Sequence, residues 1–203
     1  MSRLTRVQQQ QRTHERLLEA GRSVFTRRGF LAATVEEVVA EAGYTRGALY
    51  KHFGGKEGLW LAITDTQVEA HLLHLDNCLG GASDRDELIA ALIPVGPAFN
   101  EDEPRWSVAS YEFVAWVAGE PGLSATVVAA QRLRERRIVE MLERDCARLG
   151  IRPAMPLPQV VVAMGLLGGG LALRRAVDPA TDVRAIAESV VSAVFPEPSR
   201  KES

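Results

Sequence analysis

The chain has 203 residues, 46% hydrophobic and 25% charged, with a formal net charge of −2. This balance excludes a wholly disordered chain, and the length suits one sizeable core or a small domain joined to a larger one. Two cysteines do not imply a disulfide framework, and the N-terminal "MSRLTRVQQQQRTHERLL" lacks the apolar stretch of a secretory signal, so a cytoplasmic protein with reduced thiols is expected.

Apolar residues recur at helical spacing and strand-like alternation is scarce, which predicts an all-α fold. Leu17, Leu18, Gly21, Val24 and Phe25 form the first stripe, and Gly29 ends it. Thr34 with Glu37 three residues on makes a capping box for a short helix whose apolar face is Val35, Val38, Val39 and Ala42. Gly43 terminates that helix, and Thr45 caps the next, which runs to Phe53. After Gly54 and Gly55 a longer helix starts near Lys56 and reaches about Leu79. Further helices are predicted over 86–99, 104–118, 122–149, 158–177 and 182–195, with a Pro-rich connector "GIRPAMPLP" and a tail that frays. The most apolar run, "VVVAMGLLGGGLAL", is short for a bilayer span and diluted by glycine, so no membrane is expected.

Two short helices joined by "AGYT" form a helix-turn-helix pattern. Charge supports it: residues 1–60 carry ten Lys+Arg against six Asp+Glu, whereas residues 61–203 carry fourteen against twenty. The first segment suits a polyanion and the second does not. Arg46 has the donor geometry to read guanine, and Gly47 and Ala48 permit close approach to a groove floor. Tyr50, Lys51 and His52 are phosphate donors, as is Lys56 at the start of the following helix, where the backbone also favours an anion.

Residues 10–60 resemble the N-terminal domain of TetR-family transcriptional regulators. The likeness rests on "FTRRGF", "TVEEVVAEAG" and "YTRGALYKHFGGKEGL", which match the family pattern in order. The resemblance implies a three-helix DNA-binding domain at 1–55, and a larger helical domain at 56–203 that dimerises and binds a small molecule. By position it implies DNA contacts from Thr34, Thr45, Arg46, Gly47, Tyr50, Lys51, His52 and Lys56. Two departures stand out. Val39 replaces a common Ala, and Gly55 stands where Ser, Asn or Asp commonly caps the fourth helix, so a weaker cap is expected there.

The second domain offers candidates but no ligand. "RWSVASYEFVAW" places Trp106, Tyr111, Phe113 and Trp116 on one helix, with Ser107, Ser110 and Glu112 as polar partners. Aromatic walls suit a lipophilic neutral or cationic effector, and Trp106, Ser110, Tyr111, Phe113 and Trp116 are the candidate ligand residues. The same pattern fits a plain core helix. His71, His74 and Cys78 share one helical face, which a transition metal would favour, although two accessible histidines and a buried thiol explain it as well and no metal site is assigned. "QRLRERR" at 131–137 reads as a solvated face paired with Glu135, Glu140 and Glu143. The 160–173 helix and the stripe Val183, Ile186, Val190, Val194 are the candidate homodimer surface. No nucleophile–base pair and no phosphate loop is present, so neither catalysis nor a cofactor is expected. The sequence points to a dimeric repressor, released from double-stranded operator DNA by a small lipophilic molecule. A metal-responsive regulator on the same scaffold, or a helical carrier or enzyme, is the alternative.

Overall fold

A computed structural model describes residues 5–93 and 103–197, with the side chains of 103 and 104 excepted. Nine helices and no strand occur among the described residues: α1 (Arg6–Arg28), α2 (Val35–Ala42), α3 (Arg46–Phe53), α4 (Lys56–Gly81), α5 (Arg85–Leu92), α6 (Glu103–Val117), α7 (Pro121–Leu149), α8 (Leu157–Val177) and α9 (Val183–Val194).

Local chemistry sets the first boundaries. The Thr34 hydroxyl accepts from the Glu37 N–H, and the Glu37 carboxylate accepts from the Thr34 N–H, so both ends of the capping box are made. Those hydrogen bonds, with Arg28 and Arg27 nearby, hold the Glu37 carboxyl below its ordinary range. Gly43 sits at φ 73°, ψ 33°, the left-handed conformation the turn between α2 and α3 requires. Gly55 precedes α4 without any side-chain cap, as its identity predicts. The helix expected over 86–99 stops at Leu92. Ile93 is extended because it precedes Pro94, and the remainder of that prediction lies outside the described residues.

The core forms two clusters, and they do not divide at residue 55. The first joins α1, α2 and α3 to the N-terminal half of α4 (Leu59, Trp60, Ile63) and to α6 (Trp106, Ala109, Phe113, Val117). The second joins the C-terminal half of α4 (Leu75, Leu79) to α5, α7, α8 and α9. α4 therefore runs through both, and α6 packs against α1 on one side and α8 on the other.

A buried carboxylate ties α7 to α4. Asp145, 1% exposed, accepts from Arg144 at 2.6 Å and from Arg148 at 3.0 Å. Arg148 also donates to the carbonyls of Leu79 and Ala82, satisfying the C-terminal end of α4. Burial raises the Asp145 pKa, and the hydrogen bonds from Arg144 and Arg148 more than reverse that, leaving it below the ordinary value.

α8 is longer than the apolar run in the sequence. At 21 residues with mean hydropathy 1.6, it is long and apolar enough to cross a membrane by length and composition alone. Here it packs against α6, α7 and α9. Of its four glycines only Gly169 meets a neighbour, the Tyr111 hydroxyl from α6.

Candidate nucleic-acid interface and ligand cavity

α3 presents most of its surface outward. Leu49 is its only buried residue, anchored in the first core, while Arg46, Gly47, Tyr50 and Lys51 are exposed. The Arg46 guanidinium lies 2.7 Å from the Glu36 carboxylate of α2, an exposed pair that holds the arginine across the front of the two helices. Thr34 and Thr45 are both exposed, but their hydroxyls already accept the capping N–H of Glu37 and Ala48. Each hydroxyl keeps its own proton available for an outside acceptor or, at Thr34, for Glu37.

His52 is half-buried, its ring 5.7 Å from that of His14 on α1. Burial, then His14 and Lys51, lower its pKa and favour the neutral imidazole. It can still donate a hydrogen bond to a phosphate oxygen.

Lys56 departs from its expected place. Its ammonium donates to the carbonyls of Phe30 at 3.0 Å and Ala33 at 3.2 Å, with Leu31 at 3.5 Å, and lies 4.6 Å from the centre of the Phe30 ring. Three donors are thus spent inside the turn between α1 and α2. Lys56 staples the domain rather than reaching outward for phosphate.

The aromatic helix packs into the first core. Trp106 is 6% exposed and stacks on Trp60 with ring centres 4.5 Å apart, and the Arg22 guanidinium lies 5.0 Å from the Trp106 ring centre. Phe113 is buried against Phe30 and Trp60, and Trp116 packs on Phe30. The Ser110 hydroxyl donates back to the Trp106 carbonyl. Tyr111 points at Gly169. Trp106, Phe113 and Trp116 therefore pack α6 against its neighbours, and none of the five candidate ligand residues lines the cavity among α4, α5, α7 and α8. Their apolar periodicity carried no sign of which neighbour they would meet.

A cavity of about 250 Å³ lies elsewhere, among α4, α5, α7 and α8. Leu75, Leu92, Ile93, Ile138, Val161 and Met164 make it apolar, Gly165 and Gly168 widen it, and His71 and His74 supply its polar edge. His71 reaches solvent on one side. Protein packed around its ring, then His74 and Arg134, lower its pKa. His74 also contacts the Cys78 sulfur at 3.5 Å. No group of three or more His, Cys, Asp or Glu residues gathers in metal-binding geometry among the described residues. The basic run on α7 is only partly a solvated face. Gln131 bonds Glu135, but Arg137 pairs with Glu69 of α4 at 2.6 Å rather than with the acids of its own helix.

The expected dimer stripe splits in two. Val183 and Val194 are buried in the second core, whereas Ile186 and Val190 are each 41% exposed. On α8, Leu166 is 72% and Val162 45% exposed.

Residues 17–63 match the family of bacterial regulatory proteins of the tetR type. The HTH-type transcriptional regulator YfiR of Bacillus subtilis is 38% identical over 60 residues, which is 30% of this chain and 29% of that protein. The chain thus spans under a third of that curated relative. Solved structures extend the likeness to the whole fold. Salmonella enterica GusR superposes with a TM-score of 0.70 at 18% identity, over 96% of this chain and 99% of that one. SmeT, solved as a complex with triclosan, superposes with a TM-score of 0.64 at 22% identity, over 92% and 93%.

Proposed function

We propose that this chain, a TetR-family member by its N-terminal domain and its fold, is a dimeric transcriptional repressor that a small molecule releases from operator DNA. α3 carries the reading. It is a short, capped helix with one anchoring residue, small side chains near its start and Arg46, Tyr50 and Lys51 turned outward. Such a helix enters a major groove, with Arg46 reading a base edge and Tyr50 and Lys51 positioning on phosphates. Thr34, Thr45 and Gly47 border that surface, and His52 supports it as a neutral donor.

One small helix binds weakly, so two copies must present their α3 helices about 34–36 Å apart, or at another spacing that fits successive grooves. The exposed apolar residues of α8 and α9 are the surface that a second copy would cover. The effector site is the cavity on α4, α5, α7 and α8, not the aromatic face of α6. A ligand there that prefers a different separation of the α3 helices shifts the population away from DNA. The SmeT–triclosan complex supports a small, largely apolar ligand for this fold.

Fluorescence anisotropy with DNA flanking the chain's own gene, against random DNA, tests the proposal across a salt series. Tighter binding to the flanking DNA with a steep loss of affinity in salt is expected. Equal affinity for both DNAs sinks it.

A further inference from the structure

We infer that the cavity takes a compact neutral compound with one hydroxyl group, its apolar body among α5, α7 and α8 and its hydroxyl at the polar edge, on His71. The inference rests on the effector site proposed above and adds the chemistry of the ligand. Among the described residues that line the cavity, none is acidic, none is Lys or Arg, and none is Phe, Tyr or Trp. An anionic group would lose its water there and gain no fixed cation. A cationic group would find neither a carboxylate nor an aromatic face. The acids that flank the two histidines on α4 are engaged elsewhere: Glu69 by Arg137 at 2.6 Å and Asp76 by Arg144 at 2.8 Å. That sets aside the cationic effector expected from the aromatic helix.

The two histidines set where the polar group sits. They share one face of α4 and both are exposed, whereas Leu75, Leu92, Ile93 and Val161 are buried. His74 also contacts the Cys78 sulfur at 3.5 Å, which leaves His71 the less committed ring. Protein packed around His71 lowers its pKa, so at neutral pH its imidazole presents one donor and one acceptor nitrogen. A hydroxyl fits this edge. It can donate to the acceptor nitrogen of His71 and accept an N–H from either ring, whereas an ether only accepts. A hydrogen bond beside water is modest, so most of the affinity comes from the apolar body. Size bounds that body. A cavity of about 150 Å³ holds benzene, so about 250 Å³ accommodates a two-ring compound.

Equilibrium dialysis of the full chain at neutral pH against 2-naphthol, 2-methoxynaphthalene and 2-naphthoate tests this. The three share a ring system and differ in a donor or a charge. Naphthol should bind about three- to tenfold more tightly than the ether, the worth of one hydrogen bond, and naphthoate more weakly than either. His71→Leu should erase naphthol's advantage while retaining the ether, with a thermal melt confirming that it folds. His71→Gln, which keeps a donor and an acceptor, should retain part of the advantage. Ala91→Leu on α5 and Gly168→Leu on α8 narrow the cavity from two walls and should weaken every compound; a Cβ on Gly168 meets nothing within 4 Å, so that variant should fold. If the ether binds as well as naphthol, and both narrowing variants weaken the pair, the hydroxyl assignment is overturned and the cavity reading stands. An advantage that persists in His71→Leu overturns the role of His71. Tighter binding of naphthoate overturns the neutral class. Binding untouched by both narrowing variants overturns the cavity reading itself. Failure of naphthol and its ether to bind at their solubility limits overturns the inference.

Discussion

The Glu112 carboxylate on α6 accepts a hydrogen bond from the Leu31 backbone N–H at 3.0 Å, joining a helix of the C-terminal half to the turn that leads into α2. Lys56 grips the carbonyls of the same turn from α4. Gly29 makes the approach feasible. It sits at φ 80°, and a Cβ there would meet the Glu112 carboxylate. With Trp106 stacked on Trp60 and Tyr111 on Gly169, α6 links α8, which lines the cavity, to the segment that leads into α2 and α3, the helices proposed to meet DNA.

Glu112→Ala should loosen that link without unfolding the chain. Leu31 is 58% exposed, so water can replace the lost acceptor, and the stability change should stay below about 1 kcal/mol. Hydrogen exchange of the Leu31 amide should rise by about tenfold, matching the loss of one local bond. An unchanged exchange rate would show that Glu112 does not hold the turn.

Lys56→Met should behave as a stability variant rather than a DNA variant. It leaves the carbonyls of Phe30 and Ala33 short of a donor, at a cost of about 1–3 kcal/mol. Below the melting transition, the salt dependence of DNA binding should match that of the parent chain. Arg46→Ala should melt normally and lose about 1–3 kcal/mol of discrimination at one base position per half-site. A flattened salt slope in Lys56→Met would return that lysine to the phosphate backbone.

The N-terminal helices were legible in the sequence because their signals are local. Thr34 with Glu37, Gly43 and Thr45 act within a few residues, and each does in the fold what its spacing predicts. The intrachain contacts of Lys56 were not legible because its partners are carbonyls more than twenty residues earlier, which carry no side-chain signature. Trp106, Phe113 and Trp116 gave the right helix and the wrong partner, since apolar periodicity tells which face is buried and not against what. The cavity was hidden because its lining comes from four helices. Two of its residues, His71 and His74, stood out for metal chemistry, and only the fold places them at the edge of an apolar cavity. The α9 stripe was wide enough to serve both the monomer core and an outer surface, so Val183 and Ile186 part company although they are three apart.

Asp145→Asn should destabilise the second core by about 3 kcal/mol, the lower end for a broken buried pair because both arginines remain partly solvated. The sign with pH follows from the lowered pKa of Asp145. Its contribution is complete above the unfolded carboxylate's value of about 3.9, and it is lost as pH falls through the lower folded value. Urea unfolding should therefore give a constant gap between parent and variant from neutral pH to about pH 5, closing only in stronger acid. A gap that widened on acidification would reverse the assignment.

The surface of α8 and α9 admits a direct test of assembly. Leu166→Glu and Val190→Glu place carboxylates at positions 72% and 41% exposed in the single chain, so each variant should fold. In a dimer the same carboxylates would be buried and unpaired, which costs enough to split it. Light scattering should report monomers, and operator affinity should fall by a factor of about 10²–10⁴ as two linked half-site contacts become independent. Leu73→Glu is the control: Leu73 is 64% exposed on α4, a helix that is not part of the proposed interface, and its variant should remain dimeric. If the α8 and α9 variants stay dimeric, the interface lies elsewhere. If the parent chain is recovered only with detergent or lipid, the outer face of α8 meets a bilayer rather than a second copy, as its length and hydropathy would allow.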